Sequence, residues 1–193
     1  MKTTVFFCVC ALGISSLSAQ EEQAKDSLNT SLISLEEVSV AGLRANDKQP
    51  IPFSEVTKAD LKSRNLSQDL PILLNFLPSV VTTSDAGAGI GYTGIRVRGS
   101  DATRVNVTIN GIPYNDSESQ GTFWVNLPDF ASSVESIQLQ RGVGTSTNGS
   151  SAFGASLNIL TDAAAPAAYA EITNAVGSFG TLRNTLKFST GLL

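Results

Sequence analysis

The chain has 193 residues, 41% of them hydrophobic, with 13 Lys and Arg against 17 Asp and Glu and a formal charge of −4. That is enough for one domain with a core and a small appendage, and the scattered cations exclude the basic stripe of a nucleic-acid binder. There is no histidine, and both cysteines, Cys8 and Cys10, fall near the N-terminus. Once that stretch is removed, disulfides, thiolate zinc sites and Ser-His-Asp chemistry are excluded, so no enzyme, cofactor or bound metal is expected.

Residues 1–19 read as a secretory leader. Lys2 supplies the positive start, Val5 to Leu12 the apolar run, and Ser15, Ser16, Ser18 and Ala19 the small residues before a cut after Ala19. The run is too short for the roughly twenty apolar residues that span a bilayer. Residues 20–49 read as a polar tether. Within it Leu35, Glu36, Glu37, Val38, Ser39, Val40 and Ala41 form an extended patch, apolar at alternate positions, that could add as a strand to a partner's sheet.

From residue 50 the pattern turns helical. Thr57 with Asp60 predicts a capping box opening a short helix through Lys62. Ser67 or Asp69 caps a second helix, with Pro71 in its first turn, Leu70, Leu73, Leu74 and Leu77 on one core-facing side, and Pro78 as its stop. After Pro78 the period becomes two. Ile95 and Val97 alternate with Arg96 and Arg98, and Val105, Val107 and Ile109 with Asn106 and Thr108 before the Asn110-Gly111 turn. Further strands are predicted over 134–141 and around Leu157 and Ile159 to Thr161. Residues 50–162 are therefore expected to form a small α/β domain with a mixed sheet and short helices.

The end of the chain differs in kind. A strand over 169–176 joins, through Gly177-Ser178-Phe179-Gly180, a second in which Leu182, Leu186, Phe188 and Leu192 alternate with Arg183, Thr185, Lys187 and Ser189. That is long enough for a membrane β-strand of roughly 9–11 residues. A lone hairpin is marginal in water, so 168–193 reads as the start of a larger, unfinished sheet.

Three motifs bear on function. Gly89-Ile90-Gly91-Tyr92-Thr93-Gly94 fits G-x-G-x-x-G, but it precedes a strand, whereas a dinucleotide site needs a helix there; a flexible loop is the better reading. Arg98 and Arg141 each stand at a strand end directly before a glycine, and a buried arginine needs a carboxylate partner. The loop from Tyr114 to Trp124 gathers Tyr114, Asn115, Gln120, Phe123 and Trp124, which suits ligand recognition or equally the packing of the loop onto its own domain.

Taken in order, several segments resemble the TonB-dependent outer-membrane receptors. The 35–41 patch looks like the TonB box, Asp69 to Val81 (DLPILLNFLPSVV) like the plug's leading helix, and IRVRG (95–99) and VTINGIP (107–113) like its central strands. VESIQLQRGVGTSTNGSSAFGASLNILT (134–161) is similar to its closing strand-loop-strand. The sequence departs from the family pattern at Ser39, Val143, Phe153 and Ala155-Ser156. QGTFWVNLPDF (120–130) resembles a subgroup similar to ferric-citrate receptors of Bacteroidetes-like bacteria.

The resemblance implies a plug held inside an outer-membrane barrel of about 22 strands, the box engaging the TonB complex of the inner membrane, and energised uptake of a scarce nutrient. An iron chelate (a siderophore) is the first expectation and cobalamin or a glycan the alternative; a free-standing periplasmic plug-like binding module is the rival reading. It also implies ligand contacts from the outward plug loops, at Asp85, Tyr92, Tyr114, Asn115, Gln120, Phe123 and Trp124. Arg98 and Arg141 would pair with barrel glutamates beyond Leu193, and lipid would surround the barrel.

Overall fold

The computed structural model describes residues 44–144, 148–149 and 151–191. The expected leader, most of the tether, the 35–41 patch and Leu192 lie outside these residues.

Strand β1 (Phe53–Thr57) runs straight into helix α1 (Lys58–Arg64), and Thr57 serves both. Its backbone N–H donates to Asp60 Oδ2 at 3.1 Å, while the Asp60 N–H donates to Thr57 Oγ1 at 3.4 Å. The capping box is thus present, and the helix runs two residues past Lys62.

Helix α2 (Leu70–Leu73) is only four residues long, which corrects the expectation of a helix to Pro78. Beyond it the chain closes tight i→i+3 turns, Leu74 N–H to the Pro71 carbonyl (3.1 Å) and Leu77 N–H to that of Leu74 (3.0 Å). Asp69 stands at the N-cap but accepts the Thr93 hydroxyl (2.9 Å) instead of a helical N–H, so the first turn lacks a side-chain cap. The leucine stripe still reaches the core: Leu70, Leu73, Leu74 and Leu77 are all buried. Three-residue and four-residue spacing serve a tight turn and an α-helix alike, so periodicity placed the leucines without fixing the helix length.

Strands β2 (Val80–Ser84) and β3 (Thr93–Val97) form a separate antiparallel pair. The main sheet contains β4 (Val105–Ile109), β5 (Ile112–Pro113), β6 (Val134–Arg141) and β7 (Ala155–Thr161) together with β1, in the order β1-β6-β7-β4-β5. Only β4 and β7 pair in parallel; the other pairs are antiparallel. The result is the small mixed sheet with short helices expected of the α/β class.

The two faces of this sheet differ. Register puts Val56, Ile137, Leu139, Leu157, Ile159, Val105 and Val107 on one side, all buried, in a single core with the α2 leucines, Ile95, Val97 and Trp124. The other side carries Asn106, Thr108, Gln138, Gln140, Ser156 and Asn158, and these are buried too. Ala45 lies over it, its N–H donating to Gln138 Oε1 (2.7 Å) and its carbonyl accepting from Gln138 Nε2 (2.9 Å). Thr108 donates to Asn158 Oδ1 at 2.7 Å, and Asn148 Nδ2 to Gln140 Oε1 at 2.9 Å. These bonds replace hydration that burial removes, although Asn106 Nδ2 and Asn148 Oδ1 find no partner among the described residues.

Strands β8 (Tyr169–Val176) and β9 (Leu182–Ser189) pair antiparallel in full register and share no ladder with the main sheet. Ile172, Val176, Leu182, Leu186 and Phe188 are 63–82% exposed, while the alternate residues Glu171, Thr173, Arg183, Thr185 and Lys187 turn toward α1 and the 3-10 turn Phe130–Ser133. No helix of the described residues is long and apolar enough to cross a membrane, a statement that does not extend to strands.

Candidate functional site

The glycine-rich segment closes the loop between β2 and β3, and its last two residues, Thr93 and Gly94, already belong to β3. Asp85 N–H donates to the Tyr92 carbonyl (3.1 Å), and Gly87, Gly89 and Gly91 all take positive φ, a turn that other residues adopt only with strain. β3 follows directly, so no helix N-terminus is present to hold a pyrophosphate. Asp69 N–H donates to the Gly89 carbonyl at 2.9 Å and ties this loop to α2. Asp85 is exposed and Tyr92 is 67% exposed beside Ile90 at 42%.

The 114–124 loop divides into scaffold and surface. Asn115 accepts the Val107 N–H at 2.7 Å and donates to the carbonyls of Val105 and Gln120, both at 2.9 Å, so its amide is spent on the backbone. Tyr114 packs against the core. Trp124 is 3% exposed and opens the 3-10 turn Trp124–Asn126; its indole is a core side chain, which corrects its placement among surface ligand contacts. Phe123, one residue earlier, is 48% exposed. Gln120 is exposed and accepts the Ser151 hydroxyl (3.1 Å). The Ser119 backbone N–H and hydroxyl, at 2.7 and 2.8 Å, hold the Asp116 carboxyl below its ordinary pKa and fix the loop tip. Among the described residues no hydrogen bond or ion pair joins this loop to 85–92.

Arg98 is exposed, in the left-handed region at φ 54, and Arg141 is half-buried with Nη2 donating to the Phe53 carbonyl at 3.4 Å. Neither forms an ion pair among the described residues.

A second polar site joins α1, the 3-10 turn Phe130–Ser133 and their flanks to β8–β9, and the sequence reading did not find it. Arg183 grips Asp129 with Nε to Oδ2 and Nη2 to Oδ1, both at 3.0 Å, a two-pronged geometry suited to a guanidinium. It also bonds the Ser132 hydroxyl and the Asn65 carbonyl, while Thr185 donates to Asp129 Oδ2 at 3.1 Å. Lys187 reaches Asp162 Oδ2 at 3.0 Å and the Ser132 carbonyl, and Lys62 meets Glu171 at 2.8 Å. Lys58 completes the cluster, at 2.5 Å from Asp162 and 3.3 Å from Glu135.

Burial pushes the Asp162 carboxyl up, but the hydrogen bonds from Lys58 and Lys187 outweigh it and hold the group below its ordinary range. The same bond to Asp162 raises Lys58, against partial burial. A cavity of about 110 Å³ remains between hairpin and plug, lined by Lys58, Lys62, Asn65, Ser132 and Arg183 among others. Among the described residues no three His, Cys, Asp or Glu side chains gather as a metal site. The signal in the sequence was the polar half of the 182–189 alternation, whose partners sit 25 to 118 residues away.

A small mixed sheet with exposed loops is followed by a hairpin that is polar toward it and mainly apolar outward, and a family model described as the TonB-dependent Receptor Plug Domain matches residues 45–156. The match covers more than half of the chain, which belongs to this family.

Among similar proteins, the vitamin B12 transporter BtuB of Vibrio vulnificus is 31% identical over 148 residues, 77% of this chain and 22% of the relative. The "Probable TonB-dependent siderophore receptor PirA" of Acinetobacter baumannii is 27% identical over 154 residues, 74% of this chain and 20% of the relative. In fold the chain is similar to the ferric yersiniabactin uptake receptor FyuA of Yersinia pestis, with a TM-score of 0.54 at 19% identity, over 72% of this chain and 21% of that one. The chain spans about a fifth of the length of these curated relatives.

Proposed function

We propose that this chain is the N-terminal part of a TonB-dependent outer-membrane receptor that takes up a scarce nutrient, an iron chelate first of all, and that it performs no catalysis. Residues 1–19 direct export, 35–41 form the box that pairs with the TonB complex, 50–162 form the plug, and 168–193 open the barrel in the outer membrane. The observation that carries this reading is the succession of plug sheet and hairpin. Alternate hairpin side chains face the plug as polar groups and the surroundings as mainly apolar ones, the Asn174–Asn184 pair excepted, as a barrel wall requires.

Of the loop residues, Asp85, Tyr92, Gln120 and Phe123 offer surface to a ligand, while Tyr114, Asn115 and Trp124 hold the loop that presents them. Arg98 and Arg141 meet barrel carboxylates. The likeness to a vitamin B12 transporter makes cobalamin the second candidate ligand.

The test is uptake of radioiron-labelled ferric citrate and of labelled cobalamin by cells producing the complete receptor. Iron uptake that needs the TonB complex and disappears in Val38→Pro or Val40→Pro, with surface expression retained, is the expected result. Proline removes a backbone donor from an added strand. Uptake indifferent to both substitutions contradicts the placement of the box, and cobalamin uptake without iron uptake reassigns the ligand.

A further inference from the structure

We propose that the plug face built from α1, the 3-10 turn Phe130–Ser133 and Asp162 is an assembly template for the first barrel hairpin, holding β8 and β9 in register in water before any lipid surrounds them. The proposal rests on reading 168–193 as barrel wall. It has three supports.

First, a two-stranded ribbon is marginal by itself in water, yet β8–β9 is paired from Tyr169↔Ser189 to Val176↔Leu182 without a ladder to the main sheet. What holds it is side-chain contact from one face. Arg183 holds both oxygens of Asp129, Lys187 holds Asp162, and Glu171 holds Lys62. Register matters here because a slip of one residue would turn every one of these groups away from the plug.

Second, the contact is chemically suited to an aqueous stage. It is made of ion pairs and hydroxyl groups, and its cavity of about 110 Å³, reached by the polar groups of Lys58, Asn65, Ser132, Arg183 and Thr185, is roomy enough for ordered water. The charges balance locally, with Lys58, Lys62, Arg183 and Lys187 opposite Glu135, Asp162, Glu171 and Asp129. Docking therefore leaves no unpaired charge at the joint.

Third, the apolar half of the hairpin makes no use of the plug. Ile172, Val176, Leu182, Leu186 and Phe188 point outward, 63–82% exposed. The dock thus sorts the two faces before a bilayer is present to do so.

The test is amide hydrogen exchange on the full chain in buffer without detergent, against a free peptide of residues 167–191. The expected result is at least tenfold slower exchange at cross-strand amides of β8 and β9 in the chain than in the peptide. Arg183→Gln should abolish the difference while amides of β6 and β7 stay protected. Lys187→Gln, which breaks the Asp162 contact on the same strand, repeats the reading should Arg183→Gln loosen the sheet. Hairpin amides exchanging at the peptide rate in the unaltered chain, protection that appears only with detergent, or protection unchanged in both variants overturns the proposal. The uptake experiment on the complete receptor tests the barrel reading separately.

Discussion

Ser156 and Gln138 share the buried polar face of the main sheet but carry different consequences. Ser156 is 0% exposed and its hydroxyl has no partner among the described residues, whereas Gln138 uses both ends of its amide on Ala45. Ser156→Ala removes a desolvated hydroxyl, so stability should stay level or rise by up to about 1 kcal/mol. Gln138→Ala strands the Ala45 backbone groups and should cost about 2 kcal/mol. Urea titration of the two variants checks both.

The neighbours Phe123 and Trp124 divide in the same way. Trp124→Ala should cost about 3–5 kcal/mol as a core truncation, while Phe123→Ala leaves stability within about 1 kcal/mol and weakens ligand binding by the complete receptor. The sequence placed both aromatics on one loop. It could not say which points inward, because the 3-10 turn that sends Trp124 into the core has no alternation to read. Asp129 was invisible for a related reason: its left-handed backbone at φ 51 and its partner Arg183 are set by tertiary contacts.

At the scale of elements, α1 was legible because its start signal is local. Thr57→Ala removes the capping hydroxyl and should cost about 1 kcal/mol, measured by thermal melting. The strands β3, β4, β6 and β7 were legible from alternation, with Arg98 and Gly142 closing two of them. α2 was not, because the same leucine spacing serves a tight turn.

The hairpin joint has a pH dependence of definite sign. Asp162 faces Lys58 from α1 and Lys187 from β9, with Glu135 of β6 sharing Lys58. Its carboxyl is depressed below its ordinary 3.8, so its contribution is complete above that value and is lost as pH falls through the folded one. Lys58 is raised above 10.5, so its share is complete below 10.5 and is lost only as pH rises past the folded value. Hairpin amide protection should therefore be flat from about pH 5 to pH 9 and fall below about pH 4. Protection that falls between pH 5 and pH 9 would contradict this joint.

For the whole molecule, the order of motifs from 57 to 161 and the alternation beyond it gave the class, whereas the joint between plug and hairpin required the fold. Arg98 and Arg141 matter at this scale. In the complete receptor Arg98→Ala with Arg141→Ala should loosen the plug, read as raised ion conductance in planar bilayers; unchanged conductance would argue against carboxylate partners in the barrel wall. The central claim, that a plug and the first hairpin of a larger barrel stand here in sequence, is tested most directly by reading the gene beyond the codon for Leu193. An open frame continuing through many alternating segments of about ten residues each, enough to close a barrel, is the expected result. A stop codon directly after Leu193 would contradict it.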